Sequence, residues 1–387
     1  MHKVIKLNAI SAAAAPEFGS DYVFGDFSDP EAILLRSFNM HDYAMPESTL
    51  CVGRAGAGVN NIPIDACSQR GVVVFNTPGA NANAVKELVI CGLFLAGRKV
   101  ADGIAWAKTL EGKGADVGKT VEKGKGAFVG SEIKGKTLGV IGLGAIGAMV
   151  ANAAIGLGMK VLGYDPYISV DAAWNLNSGI KKETDINEIF KQSDFISLHV
   201  PLNDGTRATV NKDTIAIMKD GAAILNFARG ELADENAVIE ALKSGKLTRY
   251  VTDFPNGKTA NMPGCIAIPH LGASTEESED NCAKMAVQEL MDYLENGNIR
   301  NSVNYPNCDM GICRAEGRIT LLHRNIPNSL GRFTAAIAGE NINIDGLMNK
   351  SRGEYAYTML DLDRHPSADV VEHLKQIDGV LKVRVIK

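Results

Sequence analysis

The stretch TLGVIGLGAIGAMVANAAIGLGMKVLGYD, residues 137–165, decides the fold of this 387-residue chain. An apolar run at 138–141 enters a turn with glycines at Gly142, Gly144 and Gly147, and a run of small, helix-forming residues follows. A second apolar run then ends on Asp165, 18 positions after Gly147. Strand, glycine turn, helix, strand and terminal acid in this order are the fingerprint of a βαβ dinucleotide site. Gly142 permits the tight turn, Gly144 admits a pyrophosphate close to the backbone, and Gly147 brings helix against strand. The unpaired amides and positive dipole end of the helix face the phosphates. Asp165 suits the ribose hydroxyls of an adenosine and repels a 2′-phosphate, so the expected cofactor is NAD rather than NADP.

Composition sets bounds on the rest. The length allows about two or three domains, and 45% hydrophobic with 22% charged residues is ordinary for a globular protein. A net charge of −5 without a long basic run argues against nucleic acid or an anionic membrane as partner. No apolar run reaches membrane-spanning length. Seven cysteines without CxxC spacing read as reduced thiols, which points to the cytoplasm. No His or Cys cluster completes a metal site near Cys308 and Cys313, so no metal is expected. Lys6, Asn8 and Ser11 interrupt the N-terminal apolar run, so a first β-strand and a loop are expected there rather than a signal peptide.

Buried parallel strands are expected at 32–35, 50–53 and 72–75, a long helical stretch at 84–110, and an exposed Gly/Lys-rich loop at 111–128. Further strands follow at 195–200, 223–226, 250–253 and 266–269, then a long helix at 275–296. Residues 297–316, rich in Asn, Gly and Pro, read as a linker. Strand, helix, strand, strand, helix and strand then succeed one another through 318–386, the βαββαβ order of a ferredoxin-like domain.

Two side chains point to chemistry. Arg229, in NFARGEL, follows the strand at 223–226, and His270, in PHLGAST, ends the apolar run IAIP. Ligands of open α/β sheets bind outside the carboxyl ends of strands. Oxidising a hydroxyl by hydride transfer needs a base for its proton, and an imidazole titrates near neutrality. It also needs a cation for a substrate carboxylate and the reacting oxygen, which a guanidinium fork supplies. Position alone leaves other readings open: a packed or capping histidine, and a surface ion pair for the arginine.

GLGAIG with YDPYIS, SLHVPL followed by Thr206 and Arg207, NFARGEL and PHLGAST occur in the order seen in D-2-hydroxyacid dehydrogenases. The chain resembles that family over essentially its whole length. VGRAGAGVNNI and NTPGANANAVKEL make it similar to those members that oxidise 3-phospho-D-glycerate to 3-phosphohydroxypyruvate, the first step of L-serine biosynthesis. The resemblance implies an α/β fold with two Rossmann-like doubly wound domains, for substrate (1–92 and 283–300) and for NAD (93–282). A linker (301–316) and a βαββαβ ferredoxin-like ACT domain (317–387) complete it, in a homodimer or homotetramer. Arg229 would bind the substrate carboxylate and His270 would be the acid/base. Arg36, Ser37 and Arg54 match positions that hold the substrate's phosphate and carboxylate; without the resemblance both arginines would read as surface charges. Cofactor contacts fall on Thr77, on Gly142, Gly144, Ala145, Ile146 and Gly147, on Asp165, and on His199, Val200, Pro201 and Thr206. Further contacts fall on Phe227, Ala228 and Arg229, on Asp253 near the nicotinamide, and on His270 and Gly272.

One departure bears on His270. Family members usually carry a Glu five residues after the Asp that Asp253 matches, paired with the acid/base His. Lys258 stands there, and no Glu occurs between Asp253 and His270. Glu276, Glu277 and Asp253 are the candidate replacements. A neighbouring carboxylate favours charged imidazole, so without one the basic form of His270 is expected to persist to lower pH than in Glu-bearing relatives. Two rival readings follow. One is another D-2-hydroxyacid dehydrogenase, acting on glycerate, lactate or a similar acid; Arg36, Arg54 and the C-terminal domain count against it. The other is an NAD-sensing binding protein, against which Arg229 and His270 count.

HRNIPNSL, followed by NIN, is similar to the ligand turn of ACT domains. That implies effector contacts, with L-serine as the effector, at His323, Asn325 and Asn343 across a dimer interface. Read alone, the segment is an Asn-rich turn capping the helix from Ser329. Asn328 stands where the motif usually has Gly, and Asn tolerates left-handed backbone.

Overall fold

All four residues of Ala32–Leu35 are out of solvent because successive side chains of a strand serve two cores. Ala32 and Leu34 pack with Phe75, Leu290 and Tyr293 on one face; Ile33 and Leu35 pack with Val52, Cys67 and Val74 on the other. The computed structural model describes residues 1–112 and 114–387, which divide into two units, Met1–Asn81 with Glu276–Lys387, and Ala82–Thr275.

The first unit opens with β1 (His2–Lys6), β2 (Tyr22–Phe24), β3 (Ala32–Leu35), β4 (Cys51–Arg54) and β5 (Val73–Asn76). They form one parallel sheet in the order β2-β1-β3-β4-β5, the flavodoxin-like doubly wound arrangement. The loop after β1 includes a short 3-10 helix, Ala12–Glu17, capped by Ser11 Oγ on the Ala13 N–H. Helix Glu276–Asn296 buries Cys282, Ala283, Ala286, Val287, Leu290, Tyr293 and Leu294, the spacing of an amphipathic helix. The stretch after it is pinned by side chains. Asn304 Oδ1 accepts from the Val74 N–H, its Nδ2 donates to Ser68 Oγ and Val72 O, and Tyr305 donates to Ser68 O.

The second unit carries β6 (Thr137–Ile141), β7 (Lys160–Tyr164), β8 (Ile180–Lys182), β9 (Phe195–Leu198), β10 (Ala222–Asn226), β11 (Leu247–Thr252) and β12 (Cys265–Ala267). The sheet is parallel, in the order β12-β11-β10-β9-β6-β7-β8. Counted from β6, that is the Rossmann order, extended by one strand. Ile141, Leu198 and Ile224 face one core and Val140, Leu225 and Val251 the other. The helical stretch at 84–110 is divided into Ala82–Gly97 and Val100–Lys108. The exposed loop expected at 111–128 instead contains a helix, Val117–Gly124, with none of its residues buried. Gly124 explains how it sits: a Cβ there would lie 2.5 Å from the Trp106 ring, so the missing side chain lets the indole lie against the backbone. No helix among the described residues is long and apolar enough to cross a membrane.

The chain ends in β13 (Gly317–Arg324), β14 (Ile344–Arg352), β15 (Tyr355–Leu362) and β16 (Val380–Val385), an antiparallel sheet in the order β14-β15-β13-β16 within the first unit. Its helices, Ser329–Gly339 and Ala368–Gln376, pack on Ile319, Leu321 and Leu360, completing the ferredoxin-like βαββαβ fold. Leu322, Tyr357 and Met359 point the other way and join the core of helix Glu276–Asn296. Asn328 adopts the left-handed conformation, φ +63°.

Candidate functional site

Past β6 the chain turns at Gly142, φ +91°, where a Cβ would lie 2.7 Å from His199 O. At Gly147 a Cβ would stand 1.9 Å from the Gly142 carbonyl oxygen. Gly144, the N-cap of helix Ala145–Gly156, has open space where its Cβ would be. That opening suits a pyrophosphate: the first amides of the helix, from Ala145 and Ile146 on, have no intrahelical acceptor. No acidic side chain in the first turn repels an anion. Asp165, just past β7, accepts from the Leu143 N–H at 2.8 Å and the Tyr167 N–H at 2.9 Å. A carboxylate has about four acceptor sites, so a ribose diol still finds partners. This donor and acceptor set fits NAD.

Beyond β9, desolvation pushes His199 down to about 4, so its imidazole is neutral, with Nε2 2.8 Å from Ser197 Oγ. Past Val200 and Pro201, Thr206 closes a loop: its Oγ1 donates to Pro201 O and accepts from the Asn203 N–H. Beyond β10, Phe227 is buried, Ala228 half-buried and Arg229 exposed. Asn226 shapes this exit. Its Nδ2 donates to Arg229 O at 2.9 Å and to Tyr250 Oη at 3.1 Å, and its Oδ1 accepts from the Ala228 N–H. The Arg229 guanidinium donates to Ala228 O, and no carboxylate pairs with it among the described residues. Neither Asn226 nor Tyr250 is a candidate from sequence; an amide ending a wholly apolar strand was the available signal.

Asp253, next after β11, is 1% exposed, and its Oδ1 has no partner among the described residues. Burial pushes this carboxyl up, against the opposing pull of His270, of nearby amides and of Arg229. Gly272 presses on the carboxylate: a Cβ there would sit 3.2 Å from Oδ2. The exposed His270 ring packs on Phe254 with centroids 4.7 Å apart. Arg229, Asp253, His270 and Gly272 thus gather at the carboxyl end of one parallel sheet. Lys258 turns elsewhere, to Asn236 Oδ1 at 3.2 Å and Glu235 Oε2 at 3.8 Å. Within this unit, Asp253 is a carboxyl electrically coupled to His270.

In the first unit, Arg36 and Ser37 follow β3 and Arg54 ends β4. Asn8 Oδ1 accepts from the Arg36 N–H, and Asn8 Nδ2 donates to Ser37 Oγ. Asn61 links the two arginine segments: its Oδ1 accepts from Arg54 Nε at 3.2 Å, while its Nδ2 donates to Arg36 O at 3.2 Å and Phe38 O at 2.7 Å. Burial lowers Arg54, and the nearby charge of Arg36 pushes the same way. Arg36 pairs with Glu279 at 2.6 Å. Thr77, next after β5, is buried, and its Oγ1 has no partner among the described residues. Asn8 and Asn61 escaped the motif reading, although Asn61 lies inside VGRAGAGVNNI itself.

His323 is buried on β13, with Nδ1 2.8 Å from Arg324 O and Nε2 2.9 Å from Thr358 Oγ1. Burial pushes its imidazole down. Asn325 Nδ2 donates to Gly353 O. Asn343 donates its N–H to Asp363 and its Nδ2 to Asp345. His323 stands opposite Ala356, whereas Asp363 lies past the far end of β15. At strand rise, roughly 20 Å separates Asn343 from His323 within one chain. His323 and Asn325 are together; Asn343 is apart.

A sequence profile described as "D-isomer specific 2-hydroxyacid dehydrogenase, NAD binding domain" matches residues 97–272. The chain is 38% identical over 267 residues to D-3-phosphoglycerate dehydrogenase of Methanocaldococcus jannaschii, covering 67% of this chain and 48% of that one. It is 30% identical over 348 residues to the Haemophilus influenzae protein of the same name, covering 87% and 81%. It spans about half the length of the first relative and of several others. Among solved structures, NAD+-bound 3-phosphoglycerate dehydrogenase of Entamoeba histolytica matches with a TM-score of 0.60 at 28% identity, covering 78% of this chain and 98% of that one.

Proposed function

The chain belongs to the D-isomer-specific 2-hydroxyacid dehydrogenase family, and we propose that it oxidises the 2-hydroxyl of 3-phospho-D-glycerate, giving 3-phosphohydroxypyruvate in the supply of L-serine. The observation that carries this substrate is Asn61, one neutral amide bonded to both the Arg54 side chain and the Arg36 segment. Two guanidinia organised by an amide suit a substrate with an anionic group besides its carboxylate, and the names of the relatives point the same way. NAD supplies the hydride acceptor. His270 takes the hydroxyl proton on an imidazole nitrogen, and Asp253 stabilises the imidazolium that forms. Arg229 holds the carboxylate and the carbonyl oxygen as it develops. Arg36 and Arg54, with Ser37, take the phosphate by charge-assisted hydrogen bonds. Gly142 to Gly147 hold the pyrophosphate and Asp165 the adenosine ribose, while Thr77, the loop from His199 to Thr206, Phe227 and Gly272 line the remainder. In this reading the protein is a cytoplasmic homodimer or homotetramer, its seven cysteines free, and L-serine is the effector at His323, Asn325 and Asn343, brought together across a dimer interface.

The test is NADH formation with 3-phosphoglycerate and with D-glycerate at millimolar concentration. Losing a doubly held phosphate is expected to lower kcat/KM about 100-fold for glycerate. Equal turnover of both points to another hydroxyacid, and no NADH from either sinks the reading.

A further inference from the structure

The two ends of helix Glu276–Asn296 meet different partners within the first unit. At its carboxyl end the carbonyls after Tyr293, whose oxygen accepts from the Gly297 N–H, run out of helical donors, and the C-terminal domain adds its own. Arg384, on β16, donates Nη1 to Tyr293 O and Nη2 to Leu294 O, both at 3.0 Å. Its guanidinium lies 4.3 Å from the centroid of the Tyr293 ring. Arg318, on β13 and 1% exposed, donates to Asn296 O and Gly311 O at 2.9 Å while Asp361 holds it in a two-point pair. Tyr357, on β15, donates its hydroxyl to Gly297 O at 2.6 Å. Three strands of one domain thus hold one helix terminus, and cations at a helix carboxyl end have the favourable sense of the dipole.

The other end meets the arginines. Glu279 pairs with Arg36, Asp280 accepts from Ser11 Oγ, and Cys282 lies close enough to affect Arg54. Further along, Leu290 presses on Gly53, where a Cβ would be 3.0 Å from its Cδ1, and Gly53 immediately precedes Arg54. A helix of 21 residues is a stiff rod about 31 Å long. We propose that the C-terminal domain, by clamping this helix, sets the position of Arg54 through the contact of Leu290 on Gly53 and that of the Arg36 segment through Asn61, independently of the exposed Glu279 pair, with Arg384 as the positioning residue. The proposal rests on reading the two arginines as the substrate's anion site. What is bound to or removed from the C-terminal domain is then read out as substrate affinity rather than as the rate of the hydride step.

The test uses the full chain with Arg384→Met, with Arg384→Lys, which keeps the charge but loses the fork, and with the milder Tyr357→Phe. Misplacing a binding group by an ångström is costly, so KM for 3-phosphoglycerate is expected to rise about 10-fold in Arg384→Met. The Lys variant should fall between it and the parent, and Tyr357→Phe should shift KM in the same direction, with kcat and the KM for NAD unchanged in all three. Hydrogen exchange is the second measurement: amides at 36–38 and 54–62 should exchange faster in the variants while those at 142–147 keep their rates. Unaltered KM and unaltered exchange at 36–38 and 54–62, in variants that merely melt earlier, overturn the proposal. If Arg384→Met does not fold, Tyr357→Phe decides by the same readouts. If the parent protein does not oxidise 3-phosphoglycerate, the functional reading fails, and the exchange rates still decide the clamp.

Discussion

The two parallel sheets place groups suited to anions at the same point, just past the carboxyl ends of strands, but they use opposite materials. In the second unit the groups are backbone. Gly142 and Gly147 leave no room for a side chain, and open space lies over Gly144 before the free amides of the helix. In the first unit the groups are side chains, Arg36 and Arg54, whose placement depends on amide bonds from Asn8 and Asn61. A backbone site needs one residue type at fixed spacing. A side-chain site needs loops that bring distant residues together, and many sequences can do that.

Gly147→Ala strikes the backbone site hardest. Its methyl group would stand 1.9 Å from Gly142 O, so helix Ala145–Gly156 has to move off β6. NAD affinity measured calorimetrically should fall by more than about 100-fold, with a loss of stability of about 1–3 kcal/mol or more from overpacking. Gly144→Ala is the control, since it meets nothing within contact distance: the melting temperature stays, and only NAD binding weakens. If Gly147→Ala binds NAD like the parent protein, the backbone account of the site is wrong.

The same contrast explains what was legible beforehand. The βαβ element with its glycine turn was readable because the glycine spacing, helix and Asp165 are one local pattern, and the βαββαβ order was readable from periodicity. Asn61 was not, because its importance lies in bonds to Arg36 O and Phe38 O across a turn, which spacing does not encode. Helix Val117–Gly124 was hidden by its glycines and lysines, and what seats it is the packing of Trp106 over Gly124. The docking of the C-terminal sheet was missed for a different reason. An antiparallel sheet with one solvated face alternates apolar and polar residues, whereas β13 is buried at every position but its last. Its apolar run ITLL held the clue that a second face is covered.

The side-chain site also depends on a helix with a pH-sensitive fault. Glu289 is 8% exposed, its Oε1 accepts from Asn301 at 2.7 Å, and its Oε2 has no partner among the described residues. Burial pushes this carboxyl up from 4.5 to about 8, against the smaller pull of Asn301. In the unfolded chain it ionises near its ordinary value, so between that value and about 8 the folded form binds the extra proton. Stability therefore falls as pH rises through that window and stays low above it. Glu289→Gln should abolish that slope and raise the melting temperature of the first unit at pH 8 by several degrees, leaving the second unit's transition in place. A variant that melts no later than the parent at pH 8 would show that ionisation at this position costs nothing.

Glu279 makes the smallest and most discriminating difference between the two sites. The backbone site has no acidic side chain in the first turn of its helix, whereas the side-chain site carries its own competitor, the Glu279 carboxylate on Arg36. The two partners are 38% and 41% exposed, so the pair is worth no more than about 1 kcal/mol. A substrate phosphate that takes Arg36 has to displace it. Glu279→Gln should therefore lower KM for 3-phosphoglycerate about 2–5-fold, leave the KM for NAD alone, and lose its advantage at high ionic strength, where the parent pair is screened. A rise in KM would reverse the assignment: Glu279 would then be holding Arg36 in place for the substrate, and the first unit would depend on a carboxylate as well as on its two amides.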